Sequence, residues 1–162
     1  MKAPTMNGSF ALFLQGLVVL VGLGTLGLML WEPHLEGRNV NATTFEIYFK
    51  DPFLAYVYVG SIPYFLALRR AFRLLGHVRR TGSFSPATVA DLRAIKRCGL
   101  AMVGFVAGAV IIILIFSHGE DGPGGVFMCL LAALVAGSIA GTAALFARSL
   151  QSALNRASAL PA

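Results

Sequence analysis

The sequence predicts an all-α, polytopic membrane protein: a single domain built as a four-transmembrane-helix bundle. Hydrophobic residues make up 57% of the chain, and charged residues make up only 12%. A soluble domain carries about 25% charged residues, so this chain cannot cover itself with a charged surface in water. The apolar residues also cluster into long stretches without Asp, Glu, Lys, Arg or His, as they do in membrane-spanning helices.

Four such stretches predict four spans, because a transmembrane helix needs about 20 apolar residues. The predicted spans are residues 10–31, 52–75, 98–117 and 124–147. The second has the shortest uncharged run, but its apolar side continues beyond Arg69 and Arg70, whose long side chains can extend to the lipid headgroups. The whole chain, residues 1–162, is therefore one transmembrane domain. We expect an outer loop at 32–51 and a cytoplasmic loop at 76–97.

The first apolar stretch has a second interpretation, as a secretory signal peptide. We prefer a retained helix, because one lysine precedes it, its apolar segment is long and no small-x-small cleavage site follows it. Trp31, at its end, is typical of a side chain that anchors a helix at the membrane interface.

The distribution of charge predicts the orientation. Of the 13 Lys and Arg, only Arg38 and Lys50 lie on the same side of the membrane as the first loop. That side of the membrane holds six of the seven Asp and Glu. Excess Lys and Arg mark cytoplasmic loops, so we expect both termini and the 76–97 loop in the cytoplasm. The basic pI reflects this topology, and we expect no direct nucleic-acid binding because no separate basic domain exists.

The cytoplasmic loop contains the signals of a short amphipathic helix. Ser85 suits the N-cap and Pro86 the first helical position, while Phe84 and Val89 occupy the positions of a hydrophobic staple. Its apolar side is formed by Val89, Leu92 and Ile95. We expect this helix to lead into the third span, as one continuous helix or with a bend near Gly99.

Glycines four residues apart mark a close helix contact in the last two spans. They are Gly104 and Gly108 in the third span, and Gly137 and Gly141 in the fourth. Small residues at this spacing let helix backbones approach closely in lipid. We expect them to join the two spans within one chain. An interface between chains of a homo-oligomer is the alternative.

Catalytic and metal-binding patterns are missing from the sequence. His34, Glu36, His118, Glu120 and Asp121 have side chains that suit divalent ions, but they lack a ligand spacing, and exposed loops commonly collect such residues. Charged residues occur in the predicted spans only near the cytoplasmic end of the second, whereas ion-driven pumps place them inside the membrane. We therefore expect no catalytic residue, no metal, no cofactor and no enzymatic activity.

The basic residues on the cytoplasmic side have two interpretations. Anionic headgroups attract them by about 1 kcal/mol per residue near the surface, and an acidic protein partner would attract them as well. The candidate partner-binding residues are Arg79, Arg80, Phe84, Arg93, Lys96 and Arg97.

The segment from Thr81 to Ile95, TGSFSPATVADLRAI, resembles the signature of a bacterial membrane family known as domain of unknown function 2975. That signature reads roughly G-x-x-F-S-x-x-x-V-x-x-L-R-x-I, and here Gly82 is displaced by one residue. The C-terminal segment 151–162 departs from the family because it contains no acidic residue. The resemblance implies an inner-membrane protein, often encoded beside a small helix-turn-helix regulator of the Cro/C1 type. It implies no activity.

These observations favour a regulatory or interaction protein that presents its cytoplasmic loop to a partner such as that small DNA-binding regulator. The alternative is a small oligomeric facilitator, or a channel-like transport subunit.

Overall fold

Four helices account for nearly all of the chain that the structure, a computed structural model, describes. The described residues are 7–31, 43, 45, 52–116 and 121–159, without the side chains of residues 121 and 122. The helices are α1 (Gly8–Trp31), α2 (Pro52–Thr81), α3 (Pro86–Phe116) and α4 (Asp121–Ala159). The all-α class is confirmed. Most of the predicted outer loop, 32–51, lies outside the described residues.

Helices that are consecutive in sequence pack side by side, and successive helices run in opposite directions. The extensive contacts join α1 to α2, α2 to α3, and α3 to α4. Gln15, early in α1, donates a hydrogen bond to the Phe72 carbonyl late in α2, over 3.1 Å. Tyr58, early in α2, donates to the Met29 carbonyl late in α1, over 2.6 Å. The start of α1, the end of α2, the start of α3 and the end of α4 therefore lie at one end of the molecule.

The predicted loop at 76–97 is largely helical in the structure. Helix α2 continues to Thr81 and α3 begins at Pro86, so the connection is only residues 82–85. Arginine and lysine end an apolar span but do not end a helix, because both have high helix propensity. Gly82 ends α2: its φ is 63°, a left-handed conformation that glycine adopts without steric cost. Helix α3 runs from Pro86 to Phe116 without interruption at Gly99.

Three helices are longer than a membrane requires. Helices α2, α3 and α4 contain 30, 31 and 39 residues, which at 1.5 Å per residue is about 45, 47 and 58 Å. The hydrocarbon core of a bilayer is about 30 Å thick. The surplus lies at the basic end of the molecule, which we define as α2 from Arg69, α3 as far as Arg97 and α4 from Arg148.

The basic end contains the hydrophobic core. Val89, Ala147 and Leu150 form a buried cluster, and Phe84, Leu92 and Leu154 pack against it. The uncharged helix segments instead leave many large side chains exposed, among them Phe13, Leu20, Leu114 and Leu134. Apolar surface on this scale needs a non-aqueous environment, whereas most large apolar side chains of the basic end are buried or half-buried, as in a water-soluble domain.

Length and composition qualify three helical segments as membrane spans. They are Gly8–Trp31, Pro86–Phe116 and Pro123–Ala159. Helix α2 is long enough but less apolar, because its uncharged part contains three tyrosines, Ser61 and Pro63. A protein with several transmembrane helices is thus established, and the fourth span remains a prediction.

The contact between α3 and α4 differs from the predicted one. Its α4 side is a row of buried alanines at positions 136, 140, 143 and 147, and its α3 side includes Gly99. A Cβ atom built on Gly99 would lie 2.8 Å from the Ala140 Cβ and 3.0 Å from the Ala136 carbonyl oxygen, so only glycine fits there.

The predicted glycine contact is therefore wrong. Gly137 and Gly141 each follow a buried alanine, so they point about 100° away from the contact on the helical wheel. A Cβ built on Gly104, Gly137 or Gly141 meets nothing within 4 Å. Gly108 does make a close approach, but to the Tyr56 hydroxyl of α2.

Replacing Gly99 by alanine tests this contact. We expect Gly99→Ala to lower the free energy of unfolding by about 1–3 kcal/mol, the usual cost of overpacking a close contact. The control is Gly104→Ala, which adds the same methyl group to open space in the same helix and should leave stability unchanged or slightly raised. Thermal unfolding in mild detergent measures both. Equal destabilisation by the two variants would contradict this description of the contact.

Candidate functional site

One buried carboxylate joins α2 to α3 at the basic end. Asp91 is 3% exposed and accepts hydrogen bonds from Arg70 Nη1 and Arg73 Nε, each over 3.2 Å. A second nitrogen of Arg73, Nη2, also contacts Asp91 Oδ1. Charge-assisted bonds of this kind are stronger than neutral ones, and a buried carboxylate requires them. Asp91 is the only acid between residues 52 and 119, so this site fixes how α2 and α3 pair.

The turn between the two helices is held by side-chain hydrogen bonds. The Ser85 hydroxyl lies 2.9 Å from His77 Nε2, and the Ser85 amide donates to the Thr88 hydroxyl over 3.3 Å. The Ser85 carbonyl accepts from the Thr88 and Val89 amides, which places Ser85 at the predicted N-cap position. These bonds join the end of α2 to the start of α3, so residues 77–88 form one ordered hairpin tip.

A serine hydroxyl next to a histidine is also found in hydrolytic sites, where a carboxylate orients the histidine. Here the described residues place no carboxylate on His77, since the Asp91 side chain is bonded to the two arginines. The hydroxyl closes the turn at the start of α3. We therefore interpret the Ser85–His77 contact as structural.

The six predicted partner-binding residues do not form one surface. Arg79 and Arg80 are exposed at the end of α2 and line a cavity of about 640 Å³ between α1 and α2. The predicted residues of α3 line a separate groove of about 660 Å³ between α3 and α4; they are Arg93, Lys96 and Arg97. The two groups of cations thus lie on different sides of the α2–α3 hairpin.

Phe84, one of the predicted partner-binding residues, is half-buried and packs within the protein. Its ring lies 6.2 Å from the ring of Phe146, centroid to centroid, and packs against the core cluster that contains Val89 and Leu150. This position agrees with the predicted hydrophobic staple. Its part in binding a partner stays a prediction.

Two residues of the site were missed in the sequence analysis. Asp91 gave a signal there, as the one acid among the cytoplasmic basic residues, but its partners depended on how α2 and α3 pair. Arg148 follows the last span and, in the structure, lines the groove opposite Lys96 and Arg97. That position follows from the antiparallel packing of α3 and α4.

The chemistry available at the basic end is the binding of anions. Its exposed groups are guanidinium and ammonium groups, which recognise carboxylates and phosphates. Among the described residues there is no group of three or more His, Cys, Asp or Glu that could hold a metal ion, and the predicted outer candidates lie outside the described side chains. Cys98 and Cys129 are free thiols.

Removing the Asp91 carboxylate and removing its two arginine partners should lower stability by different amounts. Asp91→Asn removes the charge but leaves two partly exposed arginines that water can solvate, so we expect a loss of about 1–3 kcal/mol. Arg70→Gln/Arg73→Gln leaves a buried carboxylate without a counter-charge, which is more destabilising than losing the carboxylate. The measurement is unfolding in detergent at neutral pH. A smaller effect for the double arginine variant than for Asp91→Asn would contradict the buried ion pair.

Comparison with known proteins supports the family resemblance. A curated relative, described as the uncharacterized membrane protein YoaS of Bacillus subtilis (strain 168), is 28% identical over 151 residues, which cover 93% of this chain and 94% of the relative. No solved structure matches the chain. The model of the family described as "Protein of unknown function (DUF2975)" matches residues 39–159, which include α2, α3, α4 and the Asp91 site. The chain therefore belongs to the DUF2975 family of membrane proteins.

Proposed function

We propose that this protein crosses the cytoplasmic membrane four times and holds a rigid, basic helical platform in the cytoplasm, to which a regulatory partner protein binds. The observation that carries this proposal is the buried Asp91 site. By pairing with Arg70 and Arg73, Asp91 keeps α2 and α3 together beyond their apolar segments. Arg79 and Arg80 are consequently exposed at the end of an ordered hairpin.

The tyrosine contacts of α2 support its role as the fourth span. The Tyr56 hydroxyl donates to the Phe105 carbonyl of α3 over 2.7 Å, and the Tyr64 hydroxyl lies 2.9 Å from the Thr25 hydroxyl of α1. Tyr58 donates to a carbonyl in the last turn of α1, where helical carbonyls lack intrahelical partners. Polar groups satisfied in this way are compatible with a membrane interior, so α2 fits between α1 and α3 in lipid.

The charge distribution supports the orientation. The antiparallel helices bring Arg69–Arg97 and Arg148–Arg156 to one end, and most Lys and Arg of the sequence lie in these two segments. Such an excess favours the cytoplasmic side. Both termini are then cytoplasmic as well, because α1 begins and α4 ends at the basic end.

The partner that fits the hairpin tip has an acidic face. Arg79 and Arg80 are exposed in the last turn of α2. Basic side chains add favourably to the electrostatics of a helix C-terminus. Neither arginine has an ion pair among the described residues, so both can pair with carboxylates of another protein. The small helix-turn-helix regulator suggested by the family resemblance is the candidate we propose, and binding would keep it at the membrane. No catalytic step is needed for this role.

The facilitator alternative receives less support from the geometry. Both cavities described above lie at the basic end, whereas a facilitator needs a path along the apolar segments. This alternative becomes the preferred one if the hairpin tip fails the following test.

Charge reversal at the hairpin tip tests the proposal. We expect Arg79→Glu/Arg80→Glu to reduce co-purification of a co-expressed helix-turn-helix regulator of the Cro/C1 type by at least about tenfold, because like charges across an interface cost several kcal/mol. The matched control is Arg148→Glu/Arg156→Glu, which changes the net charge equally on α4. The measurement is partner recovery in mild detergent, with a reporter fused after residue 162 to confirm cytoplasmic insertion of each variant.

Three outcomes would count against the proposal. Equal recovery with the wild-type protein and the tip variant would remove the tip from the binding site. Equal loss with both variants would indicate a non-specific charge effect. An external signal from the C-terminal reporter would overturn the orientation.

A further inference from the structure

We propose that the groove between α3 and α4 binds an anionic phospholipid, with the lipid phosphate held by Lys96, Arg97 and Arg148. This inference rests on the membrane position in the proposed function but not on any protein partner. The groove and the hairpin tip have different proposed ligands and different binding residues, and they lie on different sides of the α2–α3 hairpin.

Four cations from two helices line this groove. Arg93, Lys96 and Arg97 come from α3 and Arg148 from α4, and the space that they line measures about 660 Å³. Ala144 and Ala147 form part of the α4 wall, and because their side chains are small they leave the space between the helices open. A phosphate with its surrounding headgroup atoms fits a cleft of this size, since small-molecule sites typically occupy about 300–1,000 Å³.

Among the described residues, no acidic side chain neutralises the charge of the groove. Residues 122–162 contain no acid, and Asp91 is the only acid in residues 52–119. Asp91 is already bonded to Arg70 and Arg73 on the other side of α3. Arg93, at the edge of the groove, has a neutral partner in the described part of the chain, the Gln151 amide oxygen at 3.4 Å. Cations three or four residues apart on one helix repel each other, so an anion in the groove stabilises the pair of helices.

The position of the groove along the helices favours a lipid over a soluble anion. Arg97 is the last charged residue before the apolar part of α3, and Arg148 is the first after the apolar part of α4. Both cations therefore lie at the level of the headgroups. Just beyond them, Leu100 lines the same groove and is 54% exposed. A phospholipid can therefore place its phosphate against the cations and its acyl chain against Leu100. Basic pockets between transmembrane helices bind the headgroups of anionic lipids in this way.

The test is a lipid titration of the purified full-length protein in detergent, followed by native mass spectrometry. We expect phosphatidylglycerol to bind the wild-type protein more tightly than phosphatidylcholine does. Lys96→Gln/Arg97→Gln/Arg148→Gln should weaken phosphatidylglycerol binding by roughly 100-fold, given the attraction per basic residue near a membrane surface. Arg148→Gln alone should weaken it by about fivefold, which keeps the test valid if the triple variant loses its helical circular dichroism.

The matched control is Arg79→Gln/Arg80→Gln/Arg156→Gln, which removes the same charge away from the groove and should retain wild-type affinity for phosphatidylglycerol. Equal weakening in the two triple variants would overturn the site in favour of a diffuse charge effect. Equal affinity of the wild-type protein for the two lipids would overturn it as well. Displacement of phosphatidylglycerol by millimolar inorganic phosphate would identify a soluble anion as the ligand and reject the lipid assignment. The regulator is absent from all these measurements, so their outcome is independent of the partner test.

Discussion

The ion pair between Asp91 and the arginines of α2 is the interaction on which the basic end depends. Burying a carboxylate is costly unless counter-charges and hydrogen bonds accompany it, so Asp91 stays buried only while α2 and α3 keep one relative position. That position brings Ser85 onto His77 and Phe84 onto the cluster of Val89, Ala147 and Leu150. The arrangement of the hairpin tip, with Phe84 placed against α4, is therefore linked to a single paired carboxylate.

The molecule uses two kinds of stabilisation along the same helices. In the apolar segments the large side chains point outward, as lipid allows, and helix contacts rely on small residues and on tyrosine hydroxyls. The basic end resembles a water-soluble protein: most of its large apolar side chains are buried or half-buried, and its charges are exposed or paired. The change occurs near Arg97 and Arg148, which is why the groove between α3 and α4 combines cations with an apolar wall.

Sequence reasoning identified features that depend on local composition and missed those that depend on pairing between helices. The apolar stretches, the start of α3 at Pro86 and the staple of Phe84 were predictable because each is encoded within a few neighbouring residues. The α3–α4 contact was mispredicted because the glycine motif ignores helical phase: the alanines beside Gly137 and Gly141 form the contact instead. Residues 76–81 were predicted as part of the cytoplasmic loop because the arginines end the apolar run, although they do not interrupt the helix.

The central claim is that α2 and α3 continue as paired helices beyond the membrane and meet in a short, ordered turn. Hydrogen–deuterium exchange of the protein in lipid nanodiscs tests it most directly, because amides in stable helices exchange slowly even where water reaches them. The amides of residues 76–81 and 90–97 should be protected in the wild-type protein and lose protection in Asp91→Asn, whereas those of residues 100–110 remain protected in both. Rapid exchange throughout residues 76–97 of the wild-type protein would show a flexible loop and contradict the claim.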